Sequence, residues 1–79
     1  MPRYFFHVRD SEDIPDEVGT DLLDDPAARA EAIILAGELL RDLGSAFWSG
    51  DHWLLSVVKD DGHEVCQLKI LAKAAEARQ

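Results

Sequence analysis

The stretch from Asp25 to Leu43 constrains this chain more than any other, because it alone is long and periodic enough to dictate a helix. Its start is legible. Asp25 is placed to N-cap, accepting from the free N–H groups of the first turn, and Pro26 follows where its missing N–H is harmless. Asp24, Asp25 and Glu31 put negative charge near the positive end of the helix dipole. Ala27, Ala28, Ala30 and Ala32 supply helix propensity. Arg41 suits the last turn, and Gly44 suits the left-handed position just beyond it.

Projected at 100° per residue, Ala28, Ala32, Leu35, Ala36, Leu39, Leu40 and Leu43 form one broad apolar stripe, the core face. The four leucines are expected to carry most of that burial. Glu31, Glu38 and Asp42 group on a polar strip. Ala30, Ile33, Ile34 and Gly37 make a second small-and-apolar strip away from the stripe. One sheet cannot cover both strips, so the second needs a partner or lies exposed.

The rest of the chain must supply that sheet. Arg3 to Arg9 is aromatic and β-branched and reads as a strand. Tyr4, Phe6 and Val8 point towards the helix, and Phe5 and His7 to the opposite face. From Asp10 to Asp25 the chain is acidic and turn-rich, with eight acids, no base, Pro15 and Gly19. Short extended pieces are expected around Glu12–Ile14 and Val18–Leu22, one of them able to pair back on the first strand. Ser45 to His52 reads as a loop into which the helix can extend as far as Trp48. Phe47 and Trp48 are too large to leave in water without cost, and so cap the core edge or join an interface.

Trp53–Lys59 and Glu64–Leu71 are two further strands. A two-residue type I′ turn on Asp61-Gly62 pairs Val57 with Cys66, Leu55 with Leu68 and Trp53 with Ile70, giving one wholly apolar face. A three-residue loop with a glycine bulge would pair Leu55 with Gln67 and Trp53 with Lys69. Because a one-residue slip exchanges faces, burial selects the first register. The tail, residues 73–79, is alanine-rich and too short to hold a helix alone, so fraying is expected.

Size and charge narrow the function. Seventy-nine residues make one small domain, 1–79. Such a chain buries only about 60–65% of its unfolded surface. Small domains are often supplemented by disulfides, metals or oligomerisation. The single cysteine excludes an internal disulfide, and no Cys/His cluster offers a structural zinc, which leaves oligomerisation. A net charge of −8 argues against nucleic acid and against anionic membranes. No apolar run approaches the ~18 residues of a spanning helix. A cytoplasmic location is expected.

These residues suggest a family. The opening Pro2-Arg3-Tyr4-Phe5-Phe6-His7-Val8-Arg9, then Ile14-Pro15-Asp16-Glu17-Val18-Gly19-Thr20-Asp21-Leu22, then Ala27-Ala28-Arg29-Ala30-Glu31-Ala32, with Trp53 and Asp61-Gly62, resemble the short bacterial proteins grouped as domain of unknown function 6894. The resemblance implies a bacterial, stand-alone small domain and transfers no functional residue. In layout alone the chain is also similar to antitoxins of the HicB type, which bind a toxin through a small sheet.

Candidate chemistry is sparse. The acidic segment 10–25 is rich in hard oxygen ligands but lacks the spacing of a calcium loop. His7, His52 and His63 have nothing in the sequence to bring them together. The hairpin register turns Cys66 inward as a small hydrophobe. Ser56 lacks a nucleophile elbow. Phe47, Trp48 and Trp53 read as core, since one helix on a small sheet leaves little room for a pocket of several hundred Å³.

The expectation is an α+β domain: a small mixed or antiparallel sheet of three to four strands with one long helix on one face, in the order β-(β)-α-β-β. The expected role is a non-catalytic interaction module that forms a homodimer and can take a further protein partner. Its candidate interface residues are Ala30, Ile33, Ile34, Gly37, Phe5 and Trp48. No catalytic, cofactor or metal residue is assigned. The alternatives are a small metal-binding protein or enzyme using the acidic segment, and an antitoxin-like inhibitor.

Overall fold

The architecture is that of a computed structural model, which describes residues 1–10, 12–49, 52–73 and 75. The elements run β1 (Arg3–Arg9), β2 (Asp13–Ile14), β3 (Thr20–Asp21), α1 (Asp25–Leu43), a 3-10 turn (Gly44–Ser49), β4 (Trp53–Lys59) and β5 (Glu64–Ile70). All pairings are antiparallel, in the order β2-β1-β4-β5, with β3 also on β1. The α+β class and the single helix agree with the sequence. The sheet has one short strand more than expected, because both extended pieces of the acidic segment return to β1. β2 pairs with Val8 and Arg9, and β3 with Arg3 and Tyr4, along the side that β4 leaves free.

Alternation along β1 and β4 places Tyr4, Phe6, Trp53, Leu55 and Val57 beneath the helix, where they are buried with Ala28, Ala32 and Ala36. The alanines, not the leucines, form the centre of the helix face. They let the helix approach closely, so that Trp53, Tyr4, Leu55 and Val57 fill the layer from the sheet side. Leu35, Leu39, Leu40 and Leu43 flank this centre and are half-buried. Each fully buried Leu or Val stabilises the fold by about 1.5–3 kcal/mol.

Two local expectations need correction. The N-cap is Asp24, whose carboxylate accepts from Ala27 N–H at 2.9 Å. Asp25 is instead drawn towards the sheet, accepting from the Tyr4 hydroxyl at 2.7 Å and pairing with Lys59 at 3.3 Å. A cap needs only a short polar side chain, and either aspartate qualifies; the long-range partners decide between them.

The hairpin combines both registers. Trp53–Ile70, Leu55–Leu68 and Val57–Cys66 pair as burial requires. At the tip, however, Lys59 N–H donates to His63 O and Gly62 N–H to Lys59 O. This is a three-residue loop with Gly62 at φ 92°. No residue other than glycine has positive φ among those described, which excludes a type I′ turn through Asp61. Val58 therefore faces Glu64, and a bulge at Val65 restores the buried register one step on.

Gly44 ends the helix at φ 55°, its N–H donating to Leu40 O. The segment beyond is a 3-10 turn in which Phe47 is half-buried against the core. Of the C-terminal tail, only Lys73 and Ala75 fall within the described residues, so its expected fraying lies outside them. Among the described residues, no helix is long and apolar enough to cross a membrane.

Candidate functional site

The acidic segment is fastened to β1 and to Pro2 just before it. Arg3 donates to both oxygens of Asp21, at 2.9 and 3.3 Å, and to Val18 O at 3.0 Å. Leu22 N–H reaches Pro2 O, and Arg9 pairs with Asp13 at 2.6 Å. Between these, Asp16 acts as a hub. One carboxylate oxygen accepts from Val18 and Gly19 N–H, both at 3.0 Å, and the other from Phe6 N–H at 3.1 Å. A side chain thus satisfies a β1 amide at a point that neither β2 nor β3 covers. Burial disfavours the Asp16 charge, but the N–H groups of Gly19, Phe6 and Val18 outweigh it and hold the pKa below the usual carboxylate range. The Arg3 hydrogen bond holds Asp21 down in the same way.

The carboxylates of Asp13, Asp16 and Asp21 are directed at cations or amides of the chain itself. Among the described residues, no three His, Cys, Asp or Glu side chains converge on a point that could hold an ion.

The sheet face away from the helix carries Phe5, His7, Leu54, Ser56, Val58 and Gln67. It forms a broad open trough of about 580 Å³ rimmed by Ile14 and Pro15. The expectation of little pocket volume concerns the helix–sheet layer, and this trough lies on the other side of the sheet. His7 and Ser56 are cross-strand partners here. They do not make a catalytic pair. His7 Nδ1 accepts from Asp16 N–H at 3.0 Å, so the neutral ring carries its proton on Nε2. A base acting on serine needs the opposite tautomer, with Nδ1–H donated to a carboxylate. His7 is also stacked on Phe5, with ring centroids 6.4 Å apart. His63 lies at the hairpin tip against Asp61, and His52 enters β4, so the three histidines stay apart. Cys66 packs half-buried against the core, and burial pushes its thiol up, away from nucleophilic reactivity.

The candidate interface residues divide. Ala30, Ile34 and Gly37 share the outward side of α1, with Ile33 on its flank; Ile33 is 60% and Ile34 56% exposed. A Cβ added to Gly37 would meet nothing within 4 Å, so this glycine has no packing role in the monomer. Trp48 is 57% exposed and edge-on to Phe47. Phe5 lies on the opposite sheet face, beneath Gly19, and does not join the others. The Gly19 turn of the acidic segment packs over its ring. The feature that sequence reasoning missed is Asp16. The spacing Asp16-x-x-Gly19, an acid that can accept from amides two and three residues on, is its local signal. The bonds to Phe6 and His7 have no local signal.

The described residues thus form an α+β domain with one long helix on a five-stranded antiparallel sheet and an acidic arm clipped to β1. Residues 3–72 match the Domain of unknown function (DUF6894), and the chain belongs to that family. No curated protein and no solved structure matches it.

Proposed function

We propose that this chain is a non-catalytic interaction module, working in the bacterial cytoplasm, that associates with itself. The observation that carries this reading is the pair Ile33 and Ile34, each more than half exposed on a helix whose other face already packs the core. Scattered surface hydrophobes are ordinary, but these two adjoin Ala30 and a glycine with open space above it. A domain this small also gains more from a partner than a large one does. The tautomer of His7, the raised Cys66 thiol and the internally committed carboxylates support a non-catalytic role.

Sedimentation equilibrium across the micromolar range tests the proposal. The expected species has twice the 8.8 kDa chain mass. A monomer at every concentration overturns it.

A further inference from the structure

The two edges of the sheet are treated differently. Along β1 the edge is closed by β2, β3 and the Asp16 carboxylate. Along β5, among the described residues, no strand follows. An open edge of this length is a template for another strand unless it is blunted. The bulge at Val65 disturbs only its first turn of pairing and leaves the Cys66–Ile70 run regular.

The side chains on this edge are self-complementary. Glu64, Gln67 and Lys69 lie on the outer face, and all three are exposed. Read antiparallel against itself about Gln67, the order acid, amide, base meets base, amide, acid. Cys66 pairs with Leu68 on the helix side, and because the bulge leaves Val65 as an extra residue packed on that same side, the outer-face neighbour of each Lys69 is Glu64. The net charge of −8 does not oppose this, because six of the sixteen acids lie in residues 10–21, the arm whose strands β2 and β3 close the far edge.

The helix fits the same geometry. It lies across β4 and β5. Its Leu39–Asp42 side faces Val8 and Ile14 at the β1 end of the layer, so its other flank, carrying Ile33 and Leu40, faces the β5 edge. Glu31, Glu38 and Asp42 project away from that flank. Strands lie about 4.8 Å apart. Helices seated between β4 and β5 of two joined sheets would be about two such spacings apart. That is within the roughly 8–10 Å at which helices pack.

We propose that a second copy of this chain docks strand against strand on the β5 edge, about a twofold axis at Gln67, with Ile33 meeting across the axis. This rests on the self-association reading and deepens it by naming the surface.

The test is charge exchange at two exposed positions, read by sedimentation of the full chain. Lys69→Glu sets acid against acid, and Glu64→Lys sets base against base. Each alone should weaken the dimer about tenfold, two pairs being altered by symmetry. Mixed in equal amounts, the two variants should recover wild-type affinity as a heterodimer, since one contact is again Glu64 against Lys69 and the other is the same acid–base pair with its two positions exchanged. Circular dichroism should show both singles folded. A wild-type dimer that both singles leave as tight overturns the β5 interface while self-association stands. Singles that weaken without recovery on mixing overturn it as well. A monomeric wild type removes both readings together.

Discussion

Gly19 and Gly37 illustrate how one residue type carries opposite roles. Gly19 sits at φ 79°, and a Cβ there would lie 2.7 Å from Arg3 Cγ and 2.9 Å from Phe5. It lets the acidic arm cross directly over β1. Gly37 meets nothing. Gly19→Ala should therefore destabilise the fold by about 1–3 kcal/mol, from strain plus overlap. Gly37→Ala should stabilise the monomer by about 1 kcal/mol through helix propensity. Urea midpoints of the two variants check both signs. Tyr4 offers a second test at this scale. Burial, with the hydrogen bond to Asp25 added, pushes its phenol up to about 12. The neutral form is thus favoured on folding, and the stability it confers falls as pH rises from about 10. Because the chain has one tyrosine and its two tryptophans do not titrate, the near-ultraviolet absorbance change on phenolate formation reads Tyr4 alone. Ionisation should appear near pH 12, or earlier only together with unfolding.

Among the elements, the helix was the most legible, because Pro26, the alanine run and Gly44 all agree on its bounds. The faces of β1 and β4 followed from strict alternation. The N-cap was not readable, since Asp24 and Asp25 differ only in what lies across the fold from them, Tyr4 and Lys59. The hairpin tip misled for a different reason. Turn chemistry and burial asked for registers one residue apart, and a bulge at Val65 satisfies both. The acidic arm was readable as extended pieces but not as a clip on β1. That role makes it acid-labile. Asp16, Asp21, Asp25 and Asp61 all have pKa values held below the usual range, so each contributes stability above about pH 4 and loses it as pH falls through its folded value. The urea midpoint should stay level from neutral to about pH 5 and drop below about pH 4. Asp16→Ala should lower stability by about 1–3 kcal/mol at neutral pH by stranding three amides, and should reduce the acid drop.

At the scale of the whole molecule, the domain has one finished side and one unfinished side. The β1 edge is closed by its own arm, and the trough face is shielded in part by that arm's loop. Among the described residues, no strand covers the β5 edge, and the helix flank beside it is low in acid and bears Ile33. The second apolar strip of the helix was visible in the sequence, but its relation to a sheet edge was not. Nothing in a periodicity tells which strand lies beneath which flank. Amide hydrogen exchange of the intact chain at low and high concentration tests this account most directly. As concentration rises, the outward-pointing amides within Cys66–Ile70 should slow, while those of β2 and β3 should not change. Equal exchange of β5 at both concentrations, in samples shown by mass to pass from monomer to dimer, would contradict it.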